Sequence, residues 1–204
     1  MNKKLMMAFA ALLITFTAQA QTMRDLWIAM PDSLFPYLDR STRTIMADGV
    51  GEEMPTGNLF SGQSRIDTLT SDYLKATLTE ASRVEMKRFA NSHGDSVLAV
   101  VTTLLGPEPE SKLDFYDPSW HLLRTDVQAE AATVRPDTIS EEQYALLQQK
   151  IEPTIRYYLL SPSNTLLRAS YSLPMLSEAD KRQVSAILQE KKYDLRDLML
   201  SEVK

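Results

Sequence analysis

Two histidines, a scatter of paired carboxylates and no cysteine set the chemistry open to this 204-residue chain. His93 stands in the run Ser92-His93-Gly94-Asp95, and His121 directly follows Trp120. A nucleophilic triad needs a hydroxyl within reach of such an imidazole and an acid behind it. No Gly-x-Ser-x-Gly elbow is present to offer that serine. Both histidines therefore read as polar residues of a turn and of a strand start. A zinc site needs at least three good ligands, which two isolated histidines do not supply. Cysteine nucleophiles, cysteine-ligated metals and disulfides are excluded outright. No metal or cofactor is expected.

Carboxylates are the remaining groups able to move protons. Glu52 and Glu53, with Asp48 nearby, fall in a glycine-rich stretch where a calcium loop is conceivable. The ordered Asp-x-Asp-x-Asp-Gly spacing is missing, so a solvated acidic loop is the better reading. Glu141 and Glu142 belong at a helix N-terminus, where acids favour the dipole. Asp114 and Asp117 flank an aromatic pair. A glycosidase pair cannot be picked from sequence, because the separation it needs is spatial. Aromatic residues offer a different chemistry. Tyr116, Trp120, Tyr157, Tyr158 and Tyr171 lie in or beside strands, as core on a covered face or as a binding platform on an open one. Tyr157 and Tyr158 are adjacent, so in a strand they point to opposite faces, with at least one toward solvent.

The elements that position these groups follow from periodicity. Thr22 and Asp25 form a capping box ahead of Met23, Leu26, Trp27 and Met30, which share a helical face and stop at Pro31. Residues 32–38 form a compact apolar turn. Asp39 caps a second helix that carries Ile45 and Met46 and ends at Gly49. Residues 49–64 hold four of the six glycines and read as a loop, without the order of a phosphate loop. The period then becomes two. Leu74, Ala76 and Leu78 alternate with Lys75, Thr77 and Thr79, and Val84 and Met86 with Glu85 and Lys87, giving strands with one dry and one wet face. Val97–Leu104 is apolar on both faces and reads as a covered central strand. Leu113, Phe115 and Tyr116 form the next strand, and residues 124–139 a connection between two parts. Ser140 and Gln143 box a helix carrying Tyr144, Leu147 and Ile151. Residues 155–160 and 165–171 flank Ser161-Pro162-Ser163-Asn164 as a second hairpin. Ser177 caps a last helix with Val184, Ile187 and Leu188 inward, and Lys191 and Lys192 fall near its C-terminus, where cations oppose the dipole.

The N-terminus has the layout of a secretory leader. Lys3 and Lys4 precede an apolar run from Leu5 to Phe16, and Ala18-Gln19-Ala20 offers small residues for cleavage before Gln21. The run is shorter than the roughly 20 residues that span a bilayer, and no later segment is long or apolar enough. Residues 1–20 are thus expected to be a signal peptide and 21–204 a single α+β domain, periplasmic or secreted. Without a cysteine at the cleavage site it is not a lipoprotein. Loss of Lys3 and Lys4 with the leader takes the net charge from −5 to −7. An acidic surface of this kind argues against nucleic acid as a partner.

Several stretches resemble a Bacteroidales-restricted family of secreted proteins of unknown function, the DUF3256 family. They are Asp25 to Leu38 with its Met30-Pro31-Asp32-Ser33-Leu34 turn, Leu69 to Leu74, Gly94 to Val97, and Phe115 to Trp120. The resemblance implies an envelope location and transfers no catalytic or binding residue.

The expected fold is α+β: an antiparallel sheet, a meander plus a second hairpin, with helices packed mainly on one face and a possible internal duplication. The expected function is a non-catalytic module that binds a protein, peptide or glycan through an open sheet face or the 49–64 loop, with Tyr116, Trp120, Tyr157, Tyr158 and Tyr171 as the candidate surface. The alternative is a metal-free, carboxylate-dependent hydrolase of cell-wall or dietary glycans, which needs two carboxylates facing each other in one cleft. A third reading is an inhibitor- or chaperone-like duplicated module.

Overall fold

The computed structural model describes residues 21–51, 55–59, 61–130, 132–151 and 155–201. The leader sequence and the Glu52-Glu53 pair lie outside the described residues. Helix α1 (Met23–Ala29) starts at the Thr22–Asp25 capping box, with both reciprocal bonds made. At seven residues it is too short to hold on its own, so packing must hold it. Met23, Leu26, Trp27 and Met30 are all at most 1% exposed, and each such side chain contributes about 1.5–3 kcal/mol on burial.

Helix α2 (Arg40–Asp48), capped by Asp39, locks α1 in place. The Trp27 indole donates to the Arg43 carbonyl at 3.1 Å. In return the buried Arg43 guanidinium donates to the carbonyls of Ile28, Met30 and Leu38 and to Asp32. One side chain thereby satisfies carbonyls that the end of α1 leaves without helical partners.

The strands form one large meander. It runs β1 (Thr56–Gly57), β2 (Gln63–Leu69), β3 (Tyr73–Thr79), β4 (Ser82–Ala90), β5 (Ser96–Leu104), β6 (Glu110–Tyr116) and β7 (Leu122–Arg124). These pair antiparallel in sequence order. Leu74, Ala76, Leu78, Val84, Met86, Leu98 and Val100 face α1 and α2 and form one core.

The opposite face is not open. Beyond β8 (Ala132–Thr133) and helix α3 (Glu141–Lys150), strands β9 (Ile155–Leu160) and β10 (Leu166–Ser172) form the second hairpin. After α4 (Glu178–Ser185) and β11 (Leu188–Gln189), β12 (Lys191–Asp194) joins them in the order β12-β10-β9. This smaller sheet packs Tyr158, Leu160, Leu167 and Ala169 against Val97, Ala99, Val101, Leu113 and Phe115. Leu195 and Leu198 of α5 (Leu195–Leu200) join the same core. Within the connection, Val127 and Ala129 are buried in this core. A third cluster gathers Ile151, Leu173, Val184 and Ile187, with Tyr144 and Leu147 of α3 against it. The fold is α+β, with the two strand regions forming sheets of unequal size and order.

Two expectations change. The face of β4 expected to be wet is covered, leaving Glu85 1% and Lys87 2% exposed. Alternation reports that the two faces differ in polarity, and a polar face is buried when a second layer supplies its partners. The last helix also stops early. Lys191 and Lys192 lie in β12, paired with Ala169 and Arg168 of β10, and tertiary pairing overrides their helix preference. Among the described residues no helix is long and apolar enough to cross a membrane.

Candidate functional site

The five aromatic candidates do not meet on one surface. Tyr116 and Trp120 are 6% and 8% exposed, with ring centroids 5.4 Å apart on the helix side of the meander. Trp120 holds a φ of 65° and donates its indole N–H to the Leu26 carbonyl at 3.1 Å. Tyr158 is buried between the sheets, its hydroxyl accepting from the Ala129 amide at 3.0 Å. Tyr157, its neighbour, points to the other face, where Arg83 lies 5.2 Å over its ring and donates to its hydroxyl. Tyr171 is half-buried and donates to Glu130 at 3.0 Å. The expected single platform is therefore corrected to separate groups. Strand alternation places successive aromatics on opposite faces, and the helices and the small sheet pack on opposite faces of the meander.

Tyr116 does reach a concave site. Strand β6 sends Glu110, Lys112, Asp114 and Tyr116 to one face, opposite Leu104, Thr102, Val100 and Leu98 of β5 in direct register. Helix α2 lies toward β1 and β2, so it leaves the far end of this face uncovered. Leu34 and Phe35, from the turn after α1, and Asp126, just beyond β7, complete the walls of a cleft of about 490 Å³. That volume falls among small-molecule sites, which span roughly 300–1,000 Å³.

Asp114 is the polar centre. One carboxylate oxygen accepts from the Thr125 hydroxyl at 2.8 Å and the Asp126 amide at 2.9 Å. The other pairs with Lys112 Nζ at 3.0 Å. Asp126 adopts a φ of 50° to aim its amide inward, a left-handed conformation that aspartate tolerates better than most residues. Gln128 holds the Asp126 side chain at 2.8 Å. Burial, and then the negative charge of Asp114, push the Tyr116 phenol above its usual range. The cleft thus offers pre-oriented polar groups over an apolar floor.

The sequence points to Asp114 and Tyr116; nothing in it marks Leu34, Phe35, Thr102, Lys112, Glu110 or Asp126 as partners in one site. The usable signal was the period-two run Glu110, Lys112, Asp114, Tyr116, which places polar groups on one face of a strand otherwise bound for the core. Asp117 is turned away into its own loop. It accepts from the Ser119 and His121 amides and holds His121 Nδ1 at 2.8 Å. His93 is bound within its turn through the Asn91 side chain. Among the described residues no three His, Asp or Glu side chains gather as a metal-ligand set.

The family model described as a protein of unknown function, DUF3256, matches residues 15–196. The chain belongs to this family. A solved domain of an uncharacterized protein from Porphyromonas gingivalis W83 is similar to this DUF3256 chain with a TM-score of 0.65 at 21% identity. The match covers 83% of this chain and 90% of that one. At that identity the likeness concerns the fold. No curated protein matches the chain.

Proposed function

We propose that this DUF3256 protein is a non-catalytic binding module that holds a hydroxyl-rich ligand, a glycan segment, in the cleft over β5 and β6. The observation that carries this reading is the cleft's floor. Strand β5 is paired along its length with β4 and β6, so its backbone donors and acceptors are used in the ladder, while β6 meets β7 at Phe115 and Tyr116 and accepts the Val127 amide at Leu113. Recognition falls to side chains: Lys112, Asp114 and Thr102, with Phe35 and Tyr116 as the apolar wall. Fixed polar groups against an apolar wall suit a sugar's hydroxyls and C–H faces. The leader-like N-terminus supports an envelope or extracellular setting, which N-terminal sequencing of the fractionated protein tests.

The carboxylate geometry favours binding over hydrolysis. Of the three carboxylates that line the cleft, Glu110 and Asp114 are four residues apart on one strand, about 13 Å at ~3.3 Å per residue, beyond the roughly 5–9.5 Å of glycosidase pairs, and Asp126 has its Oδ1 held by Gln128 at 2.8 Å. Asp114 also has both oxygens engaged. Titrating neutral oligosaccharides from bacterial walls and plant polymers against the isotopically labelled protein should give saturable amide shifts at 100–104, 110–116 and 126. Lys112→Ala and Thr102→Val should weaken them. Release of reducing ends, or shifts confined elsewhere, would overturn the reading.

A further inference from the structure

The outer face of the small sheet carries a charge arrangement that the cleft does not explain. Leu167 and Ala169 point into the core, so Leu166, Arg168 and Ser170 point away from it. Strand β12 sets Lys192 directly opposite Arg168. Like charges at facing cross-strand positions oppose pairing. The chain as a whole is acidic, with a net charge of −5, so this pairing does not follow from a general excess of cations. Arg168 has one carboxylate neighbour, Glu190, at 3.5 Å with both groups well exposed. The Lys192 side chain has no hydrogen-bond or ion-pair partner among the described residues.

These cations border a pocket of about 220 Å³. Its remaining wall is the hairpin tip, including Ser161, Pro162 and Asn164. Asn164 accepts the Leu166 amide on Oδ1 at 3.0 Å, which leaves its Nδ2 group free to donate. The tip is held from below: buried Lys87 donates to the Pro162 carbonyl at 3.0 Å and to Asp72 at 2.8 Å. A second acid near this face, Asp194, is occupied. It accepts from the Thr165 hydroxyl and the Arg196 amide, each at 2.9 Å. The pocket is smaller than the roughly 300 Å³ at which small-molecule sites begin, a size that suits one anionic group.

We propose that this pocket binds a tetrahedral oxyanion, a phosphate group either free or carried on a sugar. Arg168 supplies a planar fork, Lys192 a point charge and Asn164 a neutral donor. The site lies on another face from the cleft and does not depend on the glycan reading.

The test is an amide-shift titration of the full chain with inorganic phosphate and, separately, with a hexose phosphate. Sodium chloride at matched ionic strength is the baseline. Saturable shifts at 161–168 and 191–194 are expected with both phosphates and not with chloride. Arg168→Ala and Lys192→Gln should each weaken binding by about tenfold. Both positions are exposed, and an otherwise unchanged spectrum confirms that each variant is folded. Equal affinity for the two probes assigns the site to free phosphate; tighter binding of the hexose phosphate assigns it to the carried group. The proposal fails if chloride reproduces the shifts, or if Arg168→Ala and Lys192→Gln bind phosphate as the parent does.

Discussion

Glu85 is the position where one atom's loss should be felt across both sheets. It sits on β4 at 1% exposure and reaches into the small sheet. Its Oε2 accepts the Leu160 amide of β9 at 2.8 Å and the Tyr73 hydroxyl at 3.4 Å. Its Oε1 lies 3.6 Å from Arg83 Nε. Glu85→Ala leaves the Leu160 amide buried without an acceptor, at about 1–3 kcal/mol, and Arg83 without its counter-ion. Breaking a buried pair from one side costs about 3–5 kcal/mol, so the total loss should lie near that range. Urea denaturation measures it, and hydrogen exchange localises it, with the Leu160 amide losing protection first. Glu85→Gln keeps an acceptor oxygen and removes the charge, which isolates the pH dependence. Burial raises the Glu85 pKa above its ordinary 4.5, against the lowering pull of the Leu160 amide and Arg83. The folded state therefore takes up the proton at a higher pH than the unfolded chain does. Glu85's contribution is then full below about 4.5 and falls as pH rises through the folded value. The parent should lose stability relative to Glu85→Gln across that window. A difference that grows in the parent's favour with pH, or an Ala variant within about 0.5 kcal/mol of the parent, would refute the reasoning.

Three further outcomes follow from buried polar and aromatic groups. Arg43→Ala should cost about 3 kcal/mol or more in urea unfolding, because several carbonyls and Asp32 lose their donor together. Arg43→Lys should recover only part, since an ammonium cannot span the same fork. Trp120→Ala should cost about 3–5 kcal/mol in the same assay, because it removes a buried ring and the bond to Leu26. Ultraviolet difference titration should find Tyr158 and Tyr171 ionising at about 12, pushed up by burial and, for Tyr171, by Glu130. Their contribution to stability is present below the ordinary value of 10 and lost as pH climbs through about 12. Tyr158→Phe should remove its share of that alkaline loss.

Local rules made much of the frame legible. Capping boxes at Thr22 and Ser140 mark real helix starts, and the alternation of Leu74, Ala76 and Leu78 marks a real core face. What stayed hidden depends on the second layer. Glu85 and Lys87 look solvent-facing because each is charged, and nothing near them in the chain reveals that Leu160 and Pro162, more than 70 residues away, supply their partners. Lys191 and Lys192 look like a helix end because their strand partners, Ala169 and Arg168, lie more than 20 residues earlier in the chain. The cleft was half legible. The period-two polar run of β6 identifies its floor, but its walls come from residues 34–35 and 126, which only tertiary folding brings to that floor.

The cleft and the sheet interface share strand β6, and this couples them. Ser111 sends its hydroxyl inward to accept the Tyr158 amide of β9 at 3.1 Å, while its neighbours Glu110 and Lys112 face the cleft. Together with Glu85, it gives the outward amides of β9 side-chain acceptors in place of a neighbouring strand, one way to protect a sheet edge. A bond that holds β9 from behind thus also holds the cleft's floor in front. Ser111→Ala should therefore loosen β9 and shift the amide resonances of Lys112 and Asp114, though its hydroxyl is bonded to β9. Lys112→Ala should perturb the cleft and leave Tyr158 protection unchanged, because Lys112 makes no bond to β9. If Ser111→Ala leaves the cleft resonances where they were, the two faces of β6 act independently and the coupling argument fails.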